Sequence, residues 1–228
     1  MSEPLEGLRG GLVVSVQAPE GSPLGSPAVM VALALAAEQG GAVGIRAEGA
    51  EDVGAIADAV GLPVIGLRKR RVEGSDVYIT PELTDVEEIA RAGADLVAVD
   101  ATGRTRPGGM GAEEFVTAAA SVGPLVLADV DTLEAGRGAA AAGAAAVATT
   151  LAGYTGNGPV PSEPDLDLVT ELAAALEVPV LAEGRYTTPE SVHAALEAGA
   201  HAVVAGTAIT DAVALTRRMV PGGGGASG

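Results

Sequence analysis

An α/β chain closed into a single (β/α)8 barrel is the fold this sequence predicts, and three observations predict it. First, two kinds of helix-to-strand junction alternate along the chain as an internal repeat. Second, eight short β-rich apolar runs recur, the pattern of parallel strands buried on both faces. Third, Ala-, Leu- and Glu-rich stretches with helical spacing separate most of those runs, and eight units in 228 residues suit a barrel of about 250 residues. An open doubly wound sheet has less support, because Ser15-Val-Gln-Ala-Pro-Glu follows the first strand where a glycine-rich phosphate fingerprint would stand.

In chain order the strands are expected at Leu12–Val16, Ala42–Ile45, Val64–Leu67, Leu96–Val99, Leu125–Ala128, Ala145–Ala148, Val180–Ala182 and Ala202–Ala205. One junction type reads Gly-Ala-x-x-Val, with Ile for Val in the first copy, and starts at Gly41, Gly93, Gly143 and Gly199. A glycine just past a helix supplies its left-handed cap. The other type places Pro63, Pro124 or Pro179 before a short apolar run, where proline ends a helix and admits a strand. Helical spacing covers Ala50–Val60, Glu82–Arg91, Thr132–Ala142 and Leu166–Leu176, among others. The barrel domain is expected over residues 1–220, with the glycine-rich end, 221–228, disordered because it has nothing to bury.

The chain carries 30 acidic and 13 basic residues, a net charge of −17. Binding to a phosphate polymer or an anionic bilayer depends on neutralising phosphates with Lys and Arg, so neither nucleic acid nor a membrane is an expected partner. Without cysteine, and with only His193 and His201, neither a disulfide framework nor a metal site is expected. The acidic start lacks a signal-peptide layout and the uncharged stretch Gly138 to Pro161 is too weakly apolar to span a bilayer. A cytoplasmic protein is expected.

In such barrels the chemistry sits at the carboxyl ends of the strands. The residues there read Gln17, Arg46, Arg68-Lys69, Asp100, Asp129, Thr149-Thr150, Glu183 and Gly206, a convergent ring of amide, cationic, hydroxyl and carboxylate groups. Tyr78, Tyr154 and Tyr186 fall in loops that follow strands. Twelve of the thirteen basic residues are arginine and Lys69 is the single lysine. Arginine stays protonated, whereas burial and neighbouring cations turn a lysine into a base, so Lys69 is the candidate base. Eight basic residues (Arg46, Arg68, Lys69, Arg70, Arg71, Arg104, Arg106 and Arg185) follow strands, so positive potential is expected to gather at that rim.

At this point the chain resembles the N-acetylmannosamine-6-phosphate 2-epimerases. The segments that carry the resemblance include Gly11-Leu-Val-Val-Ser-Val-Gln-Ala, Leu62-Pro-Val-Ile-Gly-Leu-Arg-Lys-Arg and Gly74-Ser-Asp-Val-Tyr-Ile-Thr-Pro. Others are Thr149-Thr-Leu-Ala-Gly-Tyr-Thr and Ala182-Glu-Gly-Arg-Tyr-Thr-Thr-Pro. The resemblance implies a TIM barrel of the ribulose-phosphate-binding type. It also implies a cofactor-independent isomerase that interconverts N-acetylmannosamine 6-phosphate and N-acetylglucosamine 6-phosphate in sialic acid catabolism, often as a homodimer. Carried over by position, Lys69 looks like the base at C2 and Glu183 its acidic partner. Gln17, Arg46 and Asp129 match residues that hold the sugar and its N-acetyl group, and Gly184 and Gly206 match phosphate-binding loops. Tyr154, Arg185 and Thr207 complete the candidate binding residues. The chain departs from the family at Asp211, where arginine is common, and Arg185 or Arg217 are the alternative cations for the phosphate. Two other readings stay open: a phosphosugar enzyme in which Lys69 forms a Schiff base, and a sugar-phosphate-binding barrel without catalysis.

Overall fold

The computed structural model describes residues 1–19, 21–156 and 158–221. Eight strands, β1 (Leu12–Val16), β2 (Gly44–Glu48), β3 (Val64–Leu67), β4 (Leu96–Asp100), β5 (Leu125–Asp129), β6 (Ala146–Ala148), β7 (Val180–Glu183) and β8 (Ala202–Ala205), follow one another around a closed barrel. Every pair is parallel, and β8 returns to β1. The expected (β/α)8 barrel is therefore present, with boundaries off by at most three residues. The tail expectation falls, from residue 222 onward, outside the described residues.

Helices α2 (Pro27–Gln39), α3 (Ala50–Ala57), α4 (Leu83–Arg91), α5 (Ala112–Val122), α6 (Leu133–Ala141), α7 (Leu166–Ala175) and α8 (Pro189–Glu197) connect the strands. The short α9 (Thr207–Thr210) and α10 (Ala212–Met219) follow β8. The four repeat glycines Gly41, Gly93, Gly143 and Gly199 have φ of 92°, 101°, 99° and 101°, the left-handed turn that the repeat requires. No helix among the described residues is long and apolar enough to cross a membrane.

Two apolar layers result from the alternation of side chains along each strand. Val14, Val16, Ile45, Val64, Val97, Val99, Val126 and Val147 point outward to the helices, while Val13, Ile65, Leu67, Leu96, Leu127, Leu181 and Val204 fill the barrel. An element absent from the expectations, α1 (Glu3–Gly7), plugs the amino-terminal end with Leu5 and Leu8. His201 Nε2 lies 2.7 Å from the Leu5 carbonyl and helps to fix the plug. The chemistry is thereby left to the opposite, carboxyl rim.

Close packing demands glycine at Gly66, on the outward face of β3. A Cβ there would lie 2.5 Å from Ile89 Cγ2 on α4 and 2.9 Å from the Ala94 Cβ. Gly66→Ala is expected to destabilise the fold by roughly 1–3 kcal/mol through overpacking. Urea unfolding checks this, and an unchanged midpoint would show that α4 can shift at no cost.

Candidate active site

The site is built by strand parity. Lys69, Asp129, Thr150 and Glu183 each stand two residues beyond an inward-facing Leu67, Leu127, Ala148 and Leu181, so their side chains continue the interior column to the rim. Arg46 corrects an expectation: it is in the middle of β2, not at its end. Pairing continues through Ala47 with Gly66 and Glu48 with Leu67. A cation is tolerated inside the barrel because carboxylates meet it there.

Arg46 donates from Nη1 to Asp129 Oδ1 at 3.1 Å and from Nη2 to Oδ2 at 2.6 Å. This is a two-pronged bond of the kind arginine and carboxylate planes favour. Arg46 Nη1 is also 3.0 Å from Glu183 Oε2. The side chains of Arg46 and Asp129 are 1% and 0% exposed, against 16% for Glu183, so Glu183 is the most open member of this triad. Burial opposes the charge of Arg46, but Asp129 and Glu183 outweigh it and hold the guanidinium more firmly protonated than usual. Burial pushes the Glu183 carboxyl above its ordinary 4.5, and Asp129 adds to this against Arg46.

Lys69 follows β3, and its backbone pairs with Ile79 in an antiparallel bridge. Its N–H donates to Glu48 Oε1 at 3.0 Å. The residue is exposed at the mouth, yet protein atoms crowd its amine. That crowding, and then the Arg46 cation, lower its basicity below the ordinary 10.5, while Glu183, Glu48 and Asp129 pull the other way.

Thr149 and Thr150 together grip Glu183. Thr149 Oγ1 donates to the Glu183 carbonyl at 2.9 Å and accepts from its N–H at 3.0 Å. Thr150 Oγ1 is 2.7 Å from Asp129 Oδ1 and 3.0 Å from Glu183 Oε2. Gln17 Nε2 donates to Ser15 Oγ at 2.7 Å. Two buried side-chain atoms at this mouth, Gln17 Oε1 and Arg46 Nε, have no partner among the described residues. They leave one acceptor and one donor unused.

The remaining candidates divide. Gly184, with φ of 114°, turns the chain after Glu183, and Gly206 passes so close to β1 that a Cβ would touch that of Ser15 at 3.0 Å. Thr207 opens α9 beside it. Arg185 is committed elsewhere: Nε donates to the Glu163 carbonyl at 2.6 Å and Nη1 to the Ala152 carbonyl at 2.8 Å. Its guanidinium covers the half-exposed Tyr154 at 5.3 Å. Asp211 is explained as a helix cap, accepting from the Ala214 N–H at 2.9 Å, and Arg217 is exposed in the last turn of α10.

Two expectations are revised. Tyr186 follows β7 in a loop as expected, but it belongs to the core, 3% exposed and packed among Val169, Ala195 and Val203. The rim is also less positive than its arginine count, because carboxylates sit within it. Arg46 is paired as described, Arg70 binds Glu82 and Asp85, and Arg104 binds Asp100. Arg106 lies over the Phe115 ring at 3.7 Å and donates to the carbonyls of Thr80, Pro81 and Asp100. Tyr78 is the residue that sequence reasoning left without a role at the site. It packs on the interior cluster, with Arg71 and Arg104 over its ring at 5.9 and 5.7 Å. Among the described residues no group of three His, Asp or Glu is arranged to hold a metal ion. A hollow of about 760 Å³ lies between α4 and α5, and one of about 690 Å³ at the plugged end, both away from this rim.

A closed parallel barrel that gathers Lys69, Arg46, Asp129 and Glu183 at its carboxyl rim has the architecture of a (β/α)8 enzyme, in which the chemistry sits at that end. Residues 30–221 match the family model described as "Putative N-acetylmannosamine-6-phosphate epimerase", and the chain belongs to that family. It is 49% identical over 218 residues to the "Putative N-acetylmannosamine-6-phosphate 2-epimerase" of Caldanaerobacter subterraneus subsp. tengcongensis, covering 95% of this chain and 92% of that one. It is 50% identical over 203 residues to the "Bifunctional enzyme NanE/NanK" of Brucella melitensis, covering 89% of this chain and 39% of that one. The solved structure of the N-acetylmannosamine-6-phosphate 2-epimerase from Clostridium perfringens superposes with a TM-score of 0.91 at 39% identity, covering 96% of this chain and 95% of that one.

Proposed function

We propose that this chain interconverts N-acetylmannosamine 6-phosphate and N-acetylglucosamine 6-phosphate by removing and returning the proton at C2. The observation that carries the reading is the meeting of Lys69 and Glu183 at one rim, each perturbed toward its neutral form. A carbon-bound proton becomes acidic next to a carbonyl, so the sugar reacts as its open chain. Lys69 takes the C2 proton, and Glu183 delivers one to the opposite face. Arg46 Nε and Gln17 Oε1, the unpartnered donor and acceptor, receive the developing enolate oxygen and the N-acetyl amide. Asp129 holds Arg46 in place. Main-chain N–H groups around Gly184 and at Gly206 and Thr207 receive the phosphate, and Tyr154 and Arg185 border the approach. The protein works on this small substrate in the cytoplasm, without cofactor, nucleic acid or membrane, as a homodimer.

Proton NMR in deuterium oxide, with N-acetylmannosamine 6-phosphate and the unphosphorylated sugar in parallel, tests the reading. Interconversion with deuterium entering C2 is expected for the phosphorylated sugar. Binding without exchange would overturn it. The pH dependence has a stated sign as well. The active pairing needs Lys69 neutral and Glu183 protonated. The value of kcat/KM therefore rises along an acid limb set by Glu183, above 4.5, falls along an alkaline limb set by Lys69, below 10.5, and follows a bell narrower than free side chains would give. A sugar phosphate itself titrates at about pH 6, which makes the alkaline limb the cleaner measurement.

A further inference from the structure

Thr150 sits between two carboxyl groups with a single hydroxyl hydrogen. Its Oγ1 is 2.7 Å from Asp129 Oδ1 and 3.0 Å from Glu183 Oε2, and a hydroxyl can donate to only one of them. Asp129 accepts from Arg46 at both oxygens, at 3.1 and 2.6 Å, whereas Arg46 meets Glu183 at one oxygen only, the same Oε2, at 3.0 Å. Asp129 is thus the firmer acceptor, and the shorter contact is the one to which Thr150 donates. The 3.0 Å contact is then a hydrogen bond only when Glu183 carries the hydrogen and gives it to a lone pair of Thr150. Were both carboxyls ionised, one of the two contacts would set oxygen lone pairs against each other.

We propose that Thr150 is a positioning residue that keeps Glu183 in its protonated, proton-donating form by accepting its hydrogen while donating its own to Asp129. The role rests on the proposed part of Glu183 as the acid at C2. Four groups from four elements face Glu183 and set its state: Arg46 from β2, Lys69 after β3, Asp129 from β5 and Thr150 after β6. Burial and Asp129 favour the acid, whereas Arg46, Lys69 and a hydrogen bond donated to Glu183 by Thr150 would favour the anion. Thr150 is the neutral member whose hydroxyl can serve either form, and its commitment to Asp129 decides which. Thr149 meanwhile holds the Glu183 backbone at both its N–H and its carbonyl, so the carboxyl can exchange a proton without moving away.

The test is a carbon-13 titration of the glutamate carboxyls in the whole protein, with the Glu183 signal assigned by its absence in Glu183→Gln. Thr150→Val keeps the shape and removes the hydroxyl. The Glu183 titration is expected to move to lower pH by about one unit, the worth of one hydrogen bond, and Thr150→Ser is expected to restore it. The same downward shift is expected of Thr150→Ala, which settles the matter should valine prevent folding. An unchanged titration in these variants overturns the proposal. So does an upward shift, because it would mean that Thr150 had been donating to an ionised Glu183. This titration is read without substrate. If it shifts as expected while Glu183→Gln epimerises like the unsubstituted protein, the assignment of Glu183 as the acid fails and the hydrogen-bond order stands.

Discussion

Lys69→Gln is expected to lower kcat by roughly 10²- to 10⁴-fold, the contribution of one positioned acid or base. Exchange of the C2 proton with deuterium oxide is expected to stop, while binding of the sugar phosphate persists. The argument rests on position. Lys69 follows β3 on the inward parity, with Arg46, Glu48, Asp129 and Glu183 as its charged neighbours, and glutamine, one bond shorter, keeps a polar hydrogen-bonding end but cannot take a proton. The loss belongs to chemistry and not to folding, because Lys69 is exposed and its hydrogen bond to Glu48 uses the backbone N–H. Exposed substitutions of this sort typically change stability by about 0.5 kcal/mol or less. Lys69→Arg is expected to be as inactive, since a guanidinium does not deprotonate near neutrality. Single-turnover measurement of deuterium incorporation decides the matter: exchange at the original rate would remove Lys69 from the mechanism.

Asp129→Ala is expected to destabilise the barrel by about 3–5 kcal/mol, the cost of leaving one member of a buried ion pair without its partner. Arg46 is 1% exposed and Asp129 0%, so the guanidinium would be left away from bulk water without its two-pronged partner. Only Glu183 would remain beside Arg46, at 3.0 Å from Nη1, and forcing it to neutralise the guanidinium would hold it ionised. Activity should therefore fall together with stability. Replacing Arg46 as well, as Arg46→Met with Asp129→Ala, is expected to recover part of the stability by removing the orphaned charge. Urea unfolding of the single and double variants provides the check, and equal destabilisation in both would show that packing, not charge, holds this part of the barrel.

Much of the fold is legible in the sequence because its punctuation is local. A glycine after a helix and a proline before a strand act on their own backbone, and Gly41, Gly93, Gly143 and Gly199 all take the left-handed conformation expected of them. The residues of the rim are legible for a related reason: a polar residue ends most of the apolar runs. What stays hidden is whatever depends on pairing at a distance. Arg46 reads as the end of a strand because charge interrupts the run, whereas a carboxylate 83 residues further on makes the charge tolerable inside the barrel. Tyr186 reads as a loop residue because it follows Gly184-Arg185, yet the chain turns back at once and seats it between α7, α8 and the sheet. Thr150 stands in the ring of strand-end residues, but nothing in its type signals that it would bridge Asp129 and Glu183. That the rim arginines are neutralised is equally hidden, since Asp100 reads as one more polar group of the rim and Asp85 stands 15 residues from the Arg70 it binds.

The division of the buried triad along the chain has a consequence for assembly. Arg46 and Lys69 belong to the first four strands, and Asp129, Thr150 and Glu183 to the last four. Cut between β4 and β5, the first fragment would carry the base together with a guanidinium that has lost Asp129 and Glu183, and the second would carry two adjacent carboxyls without their cation. Each fragment is thus unbalanced in the opposite sense, and each completes the other. Charge makes the two halves complementary, and turnover by a mixture of the separate fragments would report that the ring had closed.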